Sequence, residues 1–568
     1  MLKGEDMNKK VIAPLIIIAI IVASVIGWGV NKTKDVGKSQ SLISQEQAVK
    51  NLSKLYKKVD IETAQPQKAA IDSLSSNIAD ELPDINTSYP LTVEGNGDIN
   101  IEIFTSTEKG GSGTDGWLNE VAQDFNARGY QVNGKTMSVS VRSIATGTAV
   151  EYINAGVYVP EAYTPSNEFF GEMIASSGVK IAKISDSLVG NTAGILLSKD
   201  AQKKINDEYG SVTFETVVKA TQDGVITMGY TNPFSSATGL NFLISTLYSY
   251  DTEDILSDSA IEGFNAFQAN VPLVSFTTLQ MRESAESGVL DGFIMEYQTY
   301  VNDKSLSSYS FIPFGVKHNN PLYSIGVLSD DKEAVITKFA EFAKGSSAQN
   351  LAKKYGFNVD LGYSTDMPVP DGKTCIAAQK LWKDNKNNGQ EIVAVFVVDT
   401  SGSMDGEPMN SLKYSLINSI NYIDSDAYVG LITYDDVVTK YLEIGQFDLN
   451  QKAYFKGAVQ NFAASGGTAM YSGIVVGLSM LEDAMQEHPN AKPMLFVLTD
   501  GEPTEWMTLS DIDDVIDGLN IPVYTIGYGS GANMDTLGAI SSINEAASIS
   551  ASTDDVAYKI KNLFNAEL

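Results

Sequence analysis

One stretch decides the fold expected for the C-terminal part of this chain: Val395–Met404, with the sequence VFVVDTSGSM. Its apolar first half predicts a buried strand, and its polar second half places Asp399, Ser401 and Ser403 where that strand ends. The carboxyl ends of parallel strands meet at one edge of an open α/β sheet, and ligands bind at that edge. We therefore expect three oxygen-bearing side chains around one point of a sheet edge.

Two further oxygen donors follow later in the chain. Thr468 comes after the pair Gly466-Gly467, and Asp500 ends a second apolar strand that begins at Leu495. Hydroxyls, carboxylates and water are the ligand set that a hard divalent cation requires. The five residues together predict a site for Mg²⁺, with Ca²⁺ or Mn²⁺ as alternatives.

The order of these five residues resembles the metal-ion-dependent adhesion site (MIDAS) of the von Willebrand factor A (VWA) domain, over residues 391–568. The resemblance implies a doubly wound, Rossmann-like α/β domain. It implies that the hydroxyls of Ser401, Ser403 and Thr468 bind the metal directly. The two aspartates, Asp399 and Asp500, would act partly through water, and one coordination position would accept a carboxylate of a protein partner. A domain that keeps the fold without the ion is the alternative.

The apolar pattern downstream of the first strand agrees with that fold. Strands are predicted at Tyr428–Tyr434, Met494–Thr499 and Val523–Tyr528, with helices at Met409–Tyr422 and Met470–Met485 between them. Strands that alternate with helices indicate a mostly parallel sheet covered on both faces.

The N-terminal region contains an uncharged run of twenty residues, Val11–Val30, which follows Lys9 and Lys10. Twenty apolar residues are about the length that crosses a bilayer as a helix. We predict an uncleaved signal anchor over residues 1–35 with a transmembrane helix at 11–30, and a cleaved signal peptide is the alternative. The domain types, rather than the flanking charges, favour a single-pass membrane protein whose bulk is extracellular.

Residues 36–97 form a polar connector with two helical patterns. Ala48, Leu52 and Leu55 recur at helical spacing, and Pro66 and Pro83 bound the segments. The pattern predicts a helical stalk, and the alternative is a surface layer packed on the next domain.

Residues 98–375 alternate strands and helices and predict a second α/β unit. In three of its loops a strand ends, small hydroxyl or glycine residues follow, and a helix begins. Helix N-termini present free N–H groups to ligands, although Ser and Thr also cap helices ordinarily. The candidate ligand-binding residues are those of the three loops and one acid at a further strand end: Ser106, Thr107, Thr146, Gly147, Thr148, Ser235, Ser236, Thr238 and Glu296.

This region resembles the periplasmic-type (type 2) solute-binding proteins of bacterial uptake systems, near the oxyanion-binding branch. The likeness depends on the strand Ile101–Ser106, on Thr146-Gly147-Thr148, and on the segment Tyr230–Ser236. It implies two lobes with a small polar solute between them. A basic side chain suited to oxyanion capture is not evident in the loops, so a neutral ligand, a peptide terminus or no ligand stays open. Two prolines and the polar run Lys383–Gln390 indicate a linker at 376–390.

Composition excludes several classes of function. The 568 residues carry a net charge of −30 and only three arginines, which argues against nucleic acid as a partner. Residues 391–568 hold 25 acidic residues against seven lysines. One cysteine, Cys375, excludes an internal disulfide, and with two histidines the Ser-His and Cys-His catalytic sets lack parts.

We expect no enzyme, but a membrane-anchored extracellular adhesion protein that captures a protein partner at the MIDAS. The alternative is a solute receptor with the VWA domain as its docking module.

Overall fold

A computed structural model describes residues 43–65, 67–71, 78–271, 273–275, 290–386, 390–544, 546, 548–551 and 556–567. The predicted transmembrane helix at 11–30 lies outside these residues. Within these ranges no helix is both long enough and apolar enough to cross a bilayer. The described strands form three sheets, one in the C-terminal domain and two in the domain that precedes it.

The sheet of the C-terminal domain has seven strands in the order β1-β16-β15-β14-β17-β18-β19. Neighbouring strands are parallel except β15 and β16, which are antiparallel. The strands are β1 (Ile61–Thr63), β14 (Ile392–Asp399), β15 (Tyr428–Tyr434), β16 (Val438–Gln446), β17 (Lys492–Thr499), β18 (Val523–Tyr528) and β19 (Ser548–Ala551).

Helices cover both faces of this sheet, as the doubly wound prediction requires. They are α1 (Gln45–Tyr56), α16 (Glu407–Ser419), α17 (Leu449–Gln460), α18 (Met470–Glu487), α19 (Leu509–Leu519), α20 (Met534–Ser541) and α21 (Val556–Glu567). The central strand β14 is buried along its whole length. Its even-numbered residues, such as Phe396, join one apolar core, and its odd-numbered residues, such as Val395, join the core on the opposite face. Two buried faces explain why the strand is apolar throughout.

The N-terminal segment that the structure describes, residues 43–65 and 67–71, belongs to the C-terminal domain, and this corrects the stalk prediction for that part of 36–97. Ala48 and Leu52 of α1 are buried in the same core as α18 and α19. Strand β1 extends the sheet edge, with Ile61 opposite Val438. A Cβ on Gly457 would lie 1.7 Å from the Gln67 carbonyl oxygen, so this glycine lets the segment lie against α17. The apolar stripe of α1 packs against residues that lie far away in the sequence, so it is not exposed on a stalk.

Between these two parts of the chain lies a two-lobed domain, as predicted. The sheet of lobe 1 has the order β2-β5-β3-β6-β13-β7, with β4 beside β5, and the sheet of lobe 2 has the order β10-β9-β11-β8-β12. The strands of lobe 1 are β2 (Leu91–Val93), β3 (Ile99–Thr105), β4 (Gln131–Val132), β5 (Lys135–Ser143), β6 (Ala162–Thr164), β7 (Ile181–Ser185) and β13 (Leu322–Ile325). Those of lobe 2 are β8 (Ala193–Leu197), β9 (Met228–Thr231), β10 (Leu273–Ser275), β11 (Gly292–Glu296) and β12 (Ser310–Pro313). The chain crosses between the lobes after β7 and again after β12, where Asn191 pairs with His318.

The helices of this domain surround the two sheets. They are α2 (Ile78–Glu81), α3 (Ile85–Ser88), α4 (Thr107–Gly110), α5 (Trp117–Ala127), α6 (Thr146–Ala155), α7 (Phe169–Ser176), α8 (Lys199–Tyr209), α9 (Phe214–Gln222), α10 (Ala237–Tyr250), α11 (Asp258–Gln268), α12 (Tyr297–Asn302), α13 (Asp330–Ala343), α14 (Ser346–Lys354) and α15 (Gly372–Asn385). Residues 78–97 pack on lobe 1, because the Arg142 guanidinium donates to the Ile85 carbonyl oxygen and β2 pairs with β5. The last part of the predicted stalk is therefore a layer of this domain.

The linker predicted at 376–390 falls largely on helix α15, which corrects that prediction. Trp382 is fully buried, and its indole Nε1 donates to the Tyr230 hydroxyl at 2.6 Å. Cys375 is also buried, and the helix packs on α7. Prolines 368 and 370 precede the helix instead of opening a flexible segment.

Candidate functional site

Asp399 is the last residue of β14, and both of its carboxylate oxygens are held in place. Oδ1 accepts a hydrogen bond from the Ser401 backbone N–H at 2.8 Å, and Oδ2 accepts one from the Thr499 hydroxyl at 2.6 Å. Thr499 ends the neighbouring strand β17. Two adjacent parallel strands therefore position this carboxylate at the sheet edge before any ligand binds.

The remaining candidate ligands converge on the same point. The hydroxyls of Ser401 and Ser403 are 3.0 Å apart, and the Ser403 hydroxyl donates to Asp500 Oδ1 at 2.7 Å. A Cβ placed on Gly501 would lie 3.7 Å from the Ser403 oxygen and 3.9 Å from the Thr468 hydroxyl oxygen. The five residues predicted from the sequence thus lie around one position.

Glycines allow the supporting loop to approach. Gly466 has a left-handed backbone with φ of 68°, and a Cβ there would lie 2.6 Å from Asp436 Oδ2. Its carbonyl oxygen accepts from the Gly402 N–H at 3.1 Å, which joins the loop before Thr468 to the loop after β14. A side chain at position 466 would strain the backbone and displace Asp436.

The electrostatics of the site favour a cation. Burial raises the pKa of Asp399 above its usual value; hydrogen bonds from Ser401 and Thr499 oppose this rise, and the charge of Asp500 adds to it. Burial likewise raises the pKa of Asp500. Among the ion pairs of the described residues, none includes either aspartate. Two desolvated carboxylates without a protein cation, beside three hydroxyls, fit a hard divalent ion.

The hydroxyls are essential to that fit. In the part of the chain that the structure describes, no group of three or more His, Cys, Asp or Glu side chains could hold a metal ion. A site at Asp399 and Asp500 therefore depends on the serine and threonine oxygens, which suit Mg²⁺ better than a transition metal.

Sequence reasoning missed two residues that support this site, Thr504 and Glu505. The Thr504 hydroxyl accepts from the Thr468 N–H at 2.8 Å, and the Thr504 N–H donates to the Thr468 carbonyl at 3.0 Å. The Glu505 carboxylate accepts from the N–H groups of Tyr471 and Ser472, in the first turn of α18, and burial raises its pKa. Both residues follow Asp500 in the same loop, and this closeness in the sequence could have suggested that they support the site.

The candidate solute residues are divided among three environments. Glu296, buried between the lobes, accepts hydrogen bonds from the Thr238 hydroxyl at 2.9 Å and from the Asn191 amide at 2.7 Å. His318 Nδ1 lies 2.9 Å from the same carboxylate. Burial alone would raise the pKa of Glu296, but the charge and hydrogen bond of His318 outweigh it and the pKa is lowered.

A basic side chain does lie in this cleft, contrary to the sequence analysis. Lys109 is fully buried; its ammonium group donates to the Ser106 hydroxyl and, at 2.8 Å, to the Thr164 carbonyl oxygen. Burial lowers the pKa of Lys109 to about 8. Beside it, burial and the charge of Glu296 raise the pKa of Glu108. Lys109 lies three residues after Ser106, within the short helix α4, and no pattern in that stretch of sequence predicts a buried charge.

The second loop closes the lobes instead of lining an open cleft. The Gly147 N–H donates to the Ser235 carbonyl oxygen at 2.9 Å, and a Cβ on Gly147 would lie 1.7 Å from the Phe234 carbonyl oxygen. Thr146 is buried at the start of α6, and Thr107 is half-buried at the start of α4. Ser236 is an ordinary helix cap, since its hydroxyl accepts from the Gly239 N–H at 3.1 Å.

Thr148 faces the other domain, which corrects its assignment to the cleft. Its hydroxyl oxygen lies 2.9 Å from the Tyr558 hydroxyl oxygen of α21, within hydrogen-bond distance. One turn further along α6, Glu151 pairs with Lys561 at 3.0 Å and accepts from Tyr558. This face of lobe 1 therefore contacts the C-terminal domain. A cavity of about 530 Å³, bordered by Phe214, Tyr248 and Tyr363 among others, lies away from all nine candidate residues.

Comparisons with known proteins agree with this division of the chain. Residues 394–566 match the von Willebrand factor type A domain, and residues 110–358 match the bacterial extracellular solute-binding protein family. Inter-alpha-trypsin inhibitor heavy chain H1 of Sus scrofa is 30% identical over 162 residues, which are 27% of this chain and 17% of that protein. The chain thus spans well under two thirds of the length of that curated relative.

Solved structures similar to the chain fall in the same two groups. A von Willebrand factor type A protein of Catenulispora acidiphila is 22% identical with a TM-score of 0.29, covering 31% of this chain and 42% of that one. The sulfate-binding protein SubI of Mycobacterium tuberculosis H37Rv is 17% identical with a TM-score of 0.36, covering 50% and 96%. On the family matches, residues 394–566 of this chain are a von Willebrand factor type A domain, and residues 110–358 are a domain of the bacterial extracellular solute-binding protein family.

Proposed function

We propose that the chain is a membrane-anchored adhesion protein whose VWA domain captures a protein partner through a divalent cation. The family matched by residues 110–358 is described as bacterial and extracellular, and both matched families are binding modules that are not typically enzymatic. One observation carries the finer proposal: the desolvated carboxylates of Asp399 and Asp500 meet three hydroxyls, and neither carboxylate is in an ion pair among the described residues. A divalent ion would balance that arrangement.

Ser401, Ser403 and Thr468 would hold the ion through their hydroxyls, with Asp399 and Asp500 supplying negative charge. The ion itself would supply a strong, exposed positive charge for a partner's carboxylate. The chain's own role is to fix the donors in advance. Asp399 is held through both oxygens, so little side-chain freedom is lost when the ion binds.

The predicted anchor at 11–30 would keep this domain near the bilayer. Fourteen residues separate Val30 from Gln45, where α1 begins against the VWA domain. Fully extended, such a segment spans at most about 50 Å. An anchored chain would therefore present its partner-binding domain close to the membrane surface.

The first test measures the ion directly. Mg²⁺ should raise the thermal unfolding midpoint of the full-length protein, because it binds the folded state only. Asp399→Asn should remove that rise. Asp483→Asn, which removes one exposed carboxylate on α18, should keep it. If Mg²⁺ changes the midpoint of neither the natural protein nor the control, the metal site is wrong.

The second test concerns the partner. Proteins retained from the native organism on immobilised full-length protein should elute with EDTA, and Asp399→Asn should fail to retain them. Retention that survives both treatments would contradict capture through a metal.

Solute binding by the two-lobed domain is a second candidate function, and a specific observation favours it. The hydroxyls of Thr105 and Thr164 are buried and have no hydrogen-bond partner among the described residues. These two residues are paired across β3 and β6, and the Lys109 ammonium group donates to the Thr164 carbonyl. Unpaired buried hydroxyls beside an ammonium group suit a small polar or anionic ligand.

A thermal-shift series with inorganic sulfate, phosphate and molybdate tests this candidate. Saturable stabilisation that Lys109→Met abolishes would support it. A flat response to all three anions would count against an anionic solute.

A further inference from the structure

The loops around the candidate metal site are acidic and contain no basic residue. Residues 400–407, 435–437, 463–469 and 500–507 include no Lys, Arg or His. A divalent ion would be balanced by Asp399 and Asp500. The other acids of these loops would remain as a negative rim.

Three of these acids are exposed and lie in the loops that carry the candidate ligands. Asp405 follows Ser403 by two residues, and Glu502 follows Asp500 by two residues. Asp436 Oδ1 accepts from the N–H of Gly467, the residue before Thr468, at 3.0 Å. We call Asp405, Asp436 and Glu502 the acidic rim.

No basic side chain among the described residues neutralises the acidic rim. In the described ranges no ion pair includes any of its three carboxylates. Glu502 accepts from the neutral amide of Asn533 at 2.9 Å. Lys58 brings a basic group to the end of the last loop, where its ammonium nitrogen lies 5.4 Å from the ring centroid of Trp506, which is 55% exposed. The loops therefore combine the candidate site of a metal ion with acidic side chains that no described ion pair neutralises.

From this charge pattern we propose that the partner presents a single carboxylate surrounded by lysine or arginine residues. The inference rests on the proposed metal-dependent capture and adds the chemistry of the partner's surface. A partner with several acids would meet the cation with one of them, and the acidic rim would repel the rest. Basic neighbours would instead pair with the rim, and they would steer the partner to the site over about a Debye length.

Four synthetic peptides test the proposal on full-length protein in Mg²⁺. One places a single Asp between lysines, one between serines and one between glutamates, and the fourth replaces the Asp of the lysine peptide by Asn. Dissociation constants are measured by biolayer interferometry at low and high ionic strength. We expect the lysine-flanked Asp peptide to bind about tenfold more tightly than the serine-flanked one, from a few exposed charge pairs. The glutamate-flanked peptide should bind weakest, and added salt should reduce the differences.

Variants assign the preference to the acidic rim. In the triple variant Asp405→Asn, Asp436→Asn and Glu502→Gln, the lysine-flanked and serine-flanked Asp peptides should bind with the same affinity.

A control triple variant removes three exposed acids elsewhere in the same domain, with Asp426→Asn, Asp483→Asn and Glu487→Gln. It should keep the preference of the natural protein, because the total charge is matched but the rim is intact.

The outcomes separate this inference from the proposed function. Equal binding of the lysine-flanked and serine-flanked Asp peptides, or no binding of any peptide, overturns the inference. If these two peptides bind equally and their binding depends on Mg²⁺, the inference fails but metal-dependent capture is retained. If the Asp and Asn versions of the lysine peptide bind alike and EDTA has no effect, charge acts without the metal, and both the inference and the capture it rests on fail.

Discussion

Shortening Leu52 to alanine tests whether the N-terminal helix is part of the VWA domain. Leu52 is 3% exposed, in a core shared with α18 and α19. Leu52→Ala removes three carbon atoms, worth about 2.4 kcal/mol of transfer free energy, and the cavity raises the expected cost to about 2–5 kcal/mol. For a domain of this size that loss lowers the melting temperature by roughly 5–15 °C.

Hydrogen–deuterium exchange with mass spectrometry shows which helices lose stability in Leu52→Ala. Exchange should accelerate in the peptides of α18 (Met470–Glu487) and α19 (Leu509–Leu519), more than 400 residues after the substitution. The helices of the two-lobed domain, such as α10, should exchange as before. Ser53→Ala, which changes an exposed neighbour on the same helix, is the control and should alter neither. Unchanged protection in α18 and α19, or faster exchange in α10 alone, would refute the assignment of α1 to the VWA domain.

Three further predictions concern other parts of the chain. Gly147→Ala should force the lobes apart, because its Cβ would lie 1.7 Å from the Phe234 carbonyl oxygen, and an unchanged radius of gyration in solution scattering would contradict this. The folded-state pKa of Lys109, about 8, lies below the ordinary lysine value of 10.5, so the unfolded chain binds more protons between these values. The contribution of this group to stability therefore rises with pH across that window. Denaturant titrations should show a rise of up to about 3 kcal/mol from pH 8 to 10.5 that is absent in Lys109→Met; equal profiles for the two proteins would disprove it. Glu505→Ala should destabilise the VWA domain by about 1–2 kcal/mol in the same titrations, since the first N–H groups of α18, including that of Ser472, lose their acceptor, and an unshifted midpoint would argue against this capping role.

The VWA fold could be predicted from the sequence because its signals are local. The apolar run that ends at Asp399 predicts a buried strand, and parallel strands bring their ends together without further information. The structure accordingly places Ser401, Ser403 and Asp500 in a chain of hydrogen bonds, with Thr468 beside them. The bound metal stays a prediction.

Long-range packing could not be predicted in the same way. The spacing of Ala48 and Leu52 predicts a helix with one apolar face, but it does not say which domain covers that face. The pairing of Ile61 with Val438 leaves no signal in a three-residue strand. Lys109 was missed for a related reason: a lysine beside a loop is usually exposed, and only the closure of two lobes buries it.

The polar run Lys383–Gln390 was misleading because composition does not reveal which side of a helix faces the protein. Cys375, Leu381 and Trp382 lie on the buried side of α15, together with the polar Gln379. Pro368 and Pro370, which precede this helix, favoured the prediction of a linker between domains.

The two-part VWA domain constrains how the chain can fold as it is synthesised. The Lys456 ammonium group bonds the Ala70 carbonyl, 386 positions earlier in the chain. At about 5–20 residues per second, the ribosome would need roughly 20–80 s to complete the partners of the N-terminal segment. The two-lobed domain can fold during that interval, while the apolar stripe of α1 and the unpaired β1 wait, exposed to chaperones and to neighbouring nascent chains. Slower translation should therefore lengthen the time during which α1 and β1 are without the partners they have in the finished domain.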